Sequence, residues 1–189
     1  MDFLSQLDTQ LFLLLNGLHA DWLDVPMIAI TKMWIWLPIY CFLIRETIRQ
    51  YGKQWWWVAL AIGIVVLCSD QISAHVCKPL FHRLRPCYNT DIQDLVHLPK
   101  GLAGGRFGFV SSHAANTFAI ATFLNSILRK GHKWIGYTVF CWAGLSSYSR
   151  IYIGYHYPGD IICGALLGIL IGGMIAKIFN RLSSKKLIA

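Results

Sequence analysis

Apolar residues in this chain fall in long runs broken by short polar and charged stretches. Five runs are long enough to cross roughly 30 Å of hydrocarbon as helices. They predict helices at about residues 25–44, 55–78, 111–128, 134–149 and 158–179. The first twenty residues differ. Phe3, Leu4, Leu7, Leu11, Leu14, Leu15 and Leu18 recur at helical spacing, interrupted by Asp2, Asp8 and Asn16. That stretch is short for a span and suits an amphipathic helix lying in the membrane interface. It lacks the basic leading segment of a signal peptide. The pattern therefore predicts an all-α integral membrane bundle in one domain spanning residues 1–189. An interfacial helix occupies residues 1–20, five spans lie within 25–180, and a polar loop, 87–110, lies over the outer end.

Composition agrees. Apolar residues make up 56% of the 189, and mean hydropathy is +0.49, beyond a soluble domain. Charge placement adds orientation. Arg45, Arg49 and Lys53 follow the first span, Arg129, Lys130 and Lys133 the third, and Lys177, Arg181, Lys185 and Lys186 the last, against Glu46 alone. Such an excess of cations marks the cytoplasmic side. The net charge of +8 thus reads as topology and contact with anionic lipid, not nucleic acid. An odd number of spans then places the amino terminus and the connections after the second and fourth spans outside. Trp22, Trp55–Trp57 and Trp134 near helix ends fit interfacial aromatics. Gly164, Gly168 and Gly172, four apart, read as a helix-packing face, with a dimer face as the alternative.

Three polar clusters lie on or beside those outer connections: Lys78 with Arg85-Pro86, Ser111-Ser112-His113, and Ser149-Arg150 with His156 and Asp160. Ionisable groups near a lipid core are costly and mark function. Lys78, Arg85 and Arg150 offer fixed positive charge, as point charge and fork, for a phosphate. Ser111 reads as the N-cap of a helix whose free amides favour an anion, with Ser112 beside it and His113 placed to donate a proton. Pro158 starts the last helix, so Asp160 lies in its first turn and can reach back to His156. A carboxylate on one imidazole nitrogen leaves the other free for attack.

In order and spacing these clusters resemble the signatures of the type-2 phosphatidic acid phosphatase superfamily: Lys-x6-Arg-Pro, Pro-Ser-Gly-His and Ser-Arg-x5-His-x3-Asp. The first and third match fully. The second departs at Val110 and Ser112. The resemblance covers roughly residues 55–179. It implies that His156 is the nucleophile and forms a phosphohistidine, that Asp160 orients it, and that His113 protonates the leaving oxygen. It also implies that Lys78, Arg85, Ser111, Ser112 and Arg150 cradle the phosphate, without metal or other cofactor. The expected substrate is a lipid phosphate monoester or diphosphate at the outer leaflet of a bacterial inner membrane. Candidates are undecaprenyl diphosphate, phosphatidylglycerophosphate, phosphatidic acid and a lipid A phosphate, with an envelope lipid favoured.

Other readings remain. An anion path through Lys32, Asp70, Lys78, Arg150 and the histidines would need polar residues continuing to the cytoplasmic half, where the last three helices are largely apolar. A lipid-binding relative without catalysis would not need His113, His156 and Asp160. Asp70, with Ser69, Gln71 and Ser73, is read as a structural hydrogen-bond network or as support for the site. Lys32 either reaches for the interface or points into the cleft. His75 and His82 read as structural. Cys77 and Cys87 flank the first cluster, and a disulfide between them is open.

Overall fold

The computed structural model describes residues 3–99, 104–128 and 133–186. Its helices are α1 (Phe3–Gly17), α2 (Asp21–Ile30), α3 (Leu37–Tyr51), α4 (Trp55–Gln71), α5 (Lys78–Phe81), α6 (Ser112–Leu128), α7 (Lys133–Tyr152) and α8 (Pro158–Lys186). Arg129, Lys130 and Lys100 lie outside the described residues.

The predicted helix at 25–44 is in fact two. α2 stops at Ile30, Lys32 is extended, a 3-10 turn covers Met33–Trp36, and Pro38 opens α3. Pro38 cannot donate to a preceding turn, which favours a fresh helix start there. The Trp36 indole N–H secures the break by donating to the Ile30 carbonyl at 2.8 Å. The predicted helix at 55–78 continues into α5, but through a π-helical turn, Ile72–Cys77. A regular α-helix would set Asp70 and Lys78 about 80° apart around the axis. The wider π turns reduce that gap, and both side chains line one pocket.

The core lies between α4, α6, α7 and α8, around Val58, Val65, Ala119, Phe123, Leu124, Val139, Trp142 and Ala143. Small residues set its spacing. A Cβ on Gly164 would meet the Ser111 carbonyl oxygen at 2.6 Å, and one on Gly168 or Gly172 would collide with the carbonyl of Ala115 or Ala119. The glycine stripe is therefore the seam that seats α8 on α6, not a free dimer face. Ile162, Leu166, Leu170, Met174 and Ile178 project from α8 and are exposed. Exposed apolar surface on this scale calls for an apolar surrounding. Among the described residues, two helical stretches are long and apolar enough to cross a membrane: Trp34–Phe81, which folds back at Gly52, and Pro158–Ser183.

α1 is docked more firmly than the interfacial reading required. Its leucines Leu4, Leu7, Leu11 and Leu14 face outward, while Phe12 and Asn16 are fully buried. The Asn16 amide donates to the carbonyls of Ile151 (3.1 Å) and Tyr152 (2.7 Å) and accepts from the His97 amide at 2.8 Å. The inner face of α1 thus buries an aromatic ring and an amide beneath an outward row of leucines. Cys77 and Cys87 are free, so the open disulfide is not formed.

If the glycine seam sets the packing, Gly168→Val should lower stability by about 1–3 kcal/mol, the usual cost of overpacking. Gly63→Val, where a Cβ meets nothing within 4 Å, should change it by less than about 0.5 kcal/mol. Thermal unfolding of both variants in detergent checks the contrast.

Candidate active site

All three polar clusters meet at one end of the bundle. A pocket of about 270 Å³ is lined by Asp70, Lys78, Arg85, Ser112, His113, Asn116, Arg150, Tyr155 and His156. Six of the eight residues singled out in the sequence thus line it. The other two, Ser111 and Asp160, lie just behind.

The backbone explains the convergence. Residues Arg83–Arg85 pair with Arg106–Gly108 as a short antiparallel bridge: the Arg85 amide donates to the Arg106 carbonyl (3.1 Å) and the Gly108 amide to the Arg83 carbonyl (2.8 Å). The returning end of the 87–110 loop thereby holds the first cluster in place. The Ser111 amide donates to the Asp160 carbonyl at 3.0 Å, tying the second cluster to the third. After α7, a turn with Gly154 at φ +76° brings the Tyr155 amide onto the Arg150 carbonyl at 3.0 Å. Arg150 and His156 are thus held on either side of one bend.

Ser111 is the predicted N-cap, its hydroxyl accepting from the Ala114 amide at 3.4 Å. Ser112, rather than Ser111, lines the pocket. The Ser112 hydroxyl is buried without a partner, as is Nε of Arg150. Buried polar groups are seldom left unpaired, and these two are donors on residues that line the cavity. Ser112 has an ordinary negative φ, so it does not need the conformational freedom of the glycine it replaces.

His156 is almost completely buried. Its Nδ1 faces Asp160 Oδ2 at 3.4 Å, and the Tyr157 amide donates to the same oxygen at 3.1 Å. Nε2 is then the nitrogen left for chemistry. Burial pushes the His156 pKa below its ordinary value; the Asp160 contact opposes this, and Arg85 and Arg150 reinforce it. The shift favours the neutral form of the ring. His113 is engaged at both nitrogens: Nε2 lies 2.7 Å from the Ser146 hydroxyl and Nδ1 2.9 Å from Arg150 Nη2. Arg150 can only donate, so Nδ1 accepts and Nε2–H donates to Ser146. Nδ1 becomes available to a ligand only once Arg150 turns to that ligand.

Several contributors were not singled out in the sequence. Ser146 orients His113. Asn116 donates to Asp70 Oδ1 at 3.3 Å and accepts from the Ser69 hydroxyl, so Asp70 belongs to a hydrogen-bond network that also lines the pocket. Gly108 is closely confined: a Cβ there would lie 3.0 Å from Asp160 Oδ2 and 3.1 Å from Arg85 Cγ. Arg83 donates to Asp160 Oδ1 at 2.8 Å. Ser146 stands four residues before Arg150, one helical turn away and on its face, a spacing that could have flagged it. The others carried no comparable signal.

A second cavity, about 520 Å³ and mostly apolar, runs from His113 and Arg150 down between α3, α4, α6 and α7. Tyr40, Leu43, Ile62, Val66 and Trp142 line it, and Lys32 stands along its wall at the helix break. Among the described residues, no three His, Cys, Asp or Glu side chains converge as a metal site.

Comparison with known proteins places this arrangement. The model of the PAP2 superfamily matches residues 54–184. A lipid A 4'-phosphatase of Bacteroides thetaiotaomicron is 38% identical over 98% of this chain and 82% of its own length. A lipid A 4'-phosphatase of Porphyromonas gingivalis is 33% identical over 95% of this chain and 75% of its own. Among solved structures, Aquifex aeolicus LpxE is 28% identical with a TM-score of 0.67, over 90% of this chain and 95% of that one. A Bacillus subtilis PAP2-type phosphatidylglycerolphosphate phosphatase shares the fold at a TM-score of 0.69 and 20% identity, over 96% of this chain and 88% of that one. The chain belongs to the PAP2 superfamily and is a membrane phosphatase, a hydrolase of phosphoric esters.

Proposed function

We propose that this protein hydrolyses the 4'-phosphate monoester of a lipid A-type glycolipid, at the outer face of a bacterial inner membrane. The observation that carries this is the single pocket in which Lys78, Arg85, Arg150, His113 and His156 meet. The two lipid A 4'-phosphatases that resemble nearly the whole chain favour this substrate over undecaprenyl diphosphate, phosphatidylglycerophosphate and phosphatidic acid.

The chemistry follows from the geometry. Lys78, Arg85, Arg150 and Ser112 hold the peripheral phosphate oxygens, whose charge grows in the transition state. Once Arg150 turns to the phosphate, His113 Nδ1 is freed, takes the proton of the monoprotonated phosphate and can then act as acid. The lone pair of His156 Nε2 forms the N–P bond, the P–O bond to the lipid breaks, and His113 gives its proton to the departing oxygen. Asp160 stabilises the positive charge on the phosphorylated ring. Water then attacks phosphorus, His113 takes its proton, and the N–P bond breaks to release inorganic phosphate. Every step uses side chains of this chain, and no metal is required.

Five helical passes read as five spans: α2 with α3, α4 with α5, then α6, α7 and α8. Cations at the end opposite the pocket place that end in the cytoplasm. The pocket then opens at the outer leaflet, and the apolar cavity beside it receives an acyl chain while the headgroup stays among the cations.

Phosphate release from purified protein, across lipid A, undecaprenyl diphosphate, phosphatidylglycerophosphate and phosphatidic acid, tests the substrate. Lipid A should be turned over fastest, with mass spectrometry showing loss at the 4'-position; preference for another member of the panel overturns the assignment. His156→Ala should remain folded and lose turnover by at least about 10⁴-fold. EDTA should leave turnover unchanged. Because burial holds the His156 pKa down, the neutral ring persists below the usual imidazole value of about 6.5, and the acid limb of kcat/KM assigned to it should lie lower than that.

A further inference from the structure

Arg83 lies outside the phosphate pocket, yet it is held more tightly than its place on a surface loop would require. Its two terminal nitrogens fork to two different carboxylates. Nη1 donates to Asp160 Oδ1 at 2.8 Å, and Nη2 donates to Asp8 Oδ2 at 2.7 Å. The guanidinium also stacks over the Tyr157 ring, 4.1 Å from its centroid. Tyr157 is in turn packed edge-on by Phe12 of α1, at 5.4 Å, and its hydroxyl accepts from the Asn89 amide at 3.1 Å. Asp8 has a second bond: its Oδ1 accepts from the Gly159 amide at 2.7 Å, in the first turn of α8. One side chain of α1 thus grips both the arginine behind Asp160 and the start of the helix that carries Asp160.

Asp160 needs this support. It is fully buried, and its near oxygen, Oδ2, is divided between the Tyr157 amide and a long 3.4 Å approach to His156. That approach is too long to fix the plane of the carboxylate or of the imidazole by itself. Among the hydrogen bonds of the described residues, Arg83 is the partner of the far oxygen, Oδ1. Charge matters as well. Arg83 alone would neutralise Asp160 and weaken its hold on a positively charged imidazole. Asp8 offsets that cation, so the group of three keeps one net negative charge beside His156. Burial alone would lower the Arg83 pKa; the Asp160 and Asp8 carboxylates more than reverse this, and Arg83 stays charged.

We infer that Arg83 and Asp8 are positioning residues for the nucleophile, with Arg83 fixing the Asp160 carboxylate against His156 and Asp8 fixing Arg83 while balancing its charge. The N-terminal helix is thereby part of the catalytic framework. The inference rests on the reading of His156 as nucleophile.

The test uses full-length Asp8→Asn, Arg83→Gln and the double variant in detergent, with thermal unfolding confirming that each is folded. Each single change should lower kcat about 10- to 100-fold, with KM within roughly 3-fold of wild type, since misorientation rather than binding is affected. The double variant should be no worse than Arg83→Gln, because Asp8 acts through Arg83. The acid limb of kcat/KM should move in opposite directions. Without the Arg83 cation, Asp160 raises the His156 pKa further and the limb moves up; without Asp8, Arg83 neutralises Asp160 more fully and the limb moves down. Asp160, Arg85, Arg150, His113 and Lys78 also face His156 and are unchanged in every variant, so they cannot reverse that contrast. Folded variants with wild-type kcat and unshifted profiles overturn the inference. If Arg83→Gln does not fold, Asp8→Asn decides alone: a downward shift supports it and an unmoved profile overturns it. Acid-quench trapping of phosphoenzyme separates the two levels. Labelled protein from wild type but not from His156→Ala, together with unaffected Asp8 and Arg83 variants, overturns only the positioning role. A fully active His156→Ala overturns the nucleophile reading itself.

Discussion

A carboxylate with no solvent exposure must find its partners within the protein, and Asp160 meets that demand with groups from two of the three clusters. One side-chain oxygen takes the Tyr157 amide and faces His156. The other takes Arg83, and the backbone carbonyl takes the Ser111 amide that opens α6. Segments more than seventy residues apart are thus drawn to one point. The first and third clusters meet at this buried charge, the second is tied to the same residue through its backbone, and the pocket forms in front of them.

The glycine seam makes that geometry reachable. Because Gly164 has no Cβ to collide with the Ser111 carbonyl oxygen, α8 lies close enough to α6 for Asp160 and Ser111 to share a hydrogen bond. Packing and chemistry are therefore one constraint: a bulkier seam would separate the second and third clusters. The same bundle turns Leu166, Leu170 and Ile178 outward while burying the hydroxyls of Ser69, Thr117 and Ser146, as an apolar surrounding demands. α1 follows this rule on a small scale, with Leu4, Leu7 and Leu11 outside and Asp8 and Asn16 inside.

Much of this was legible in the sequence because it is periodic or local. Long apolar runs give helices, Ser111 gives an N-cap, and the spacing of His156 and Asp160 gives a contact across the start of a helix. What escaped depends on distant partners. Arg83 is one cation in a stretch that already contains Lys78 and Arg85, and only the fold shows which carboxylate it meets. Asp8 interrupts an apolar stripe and looked like the polar face of an interfacial helix; its partners are 75 and 151 residues away. Gly108 matters only because Asp160 and Arg85 pass within about 3 Å of where its side chain would be. The break at Lys32 was hidden because flanking residues on both sides are apolar, so hydropathy continued across a change in backbone path. The π turn before Lys78 was hidden for a similar reason, since periodicity blurs when the helix widens over one turn.

The account stands on His156 attacking a phosphorus centre held by three cations. A structure of the protein with vanadate, a mimic of the transferring phosphoryl group, examines this most directly. The vanadium should lie within bonding distance of His156 Nε2, with its equatorial oxygens on Lys78, Arg85 and Arg150 and with His113 opposite the nucleophile. Vanadate bound away from His156, or held there with Arg150 still on His113 and no cation at its oxygens, would contradict it.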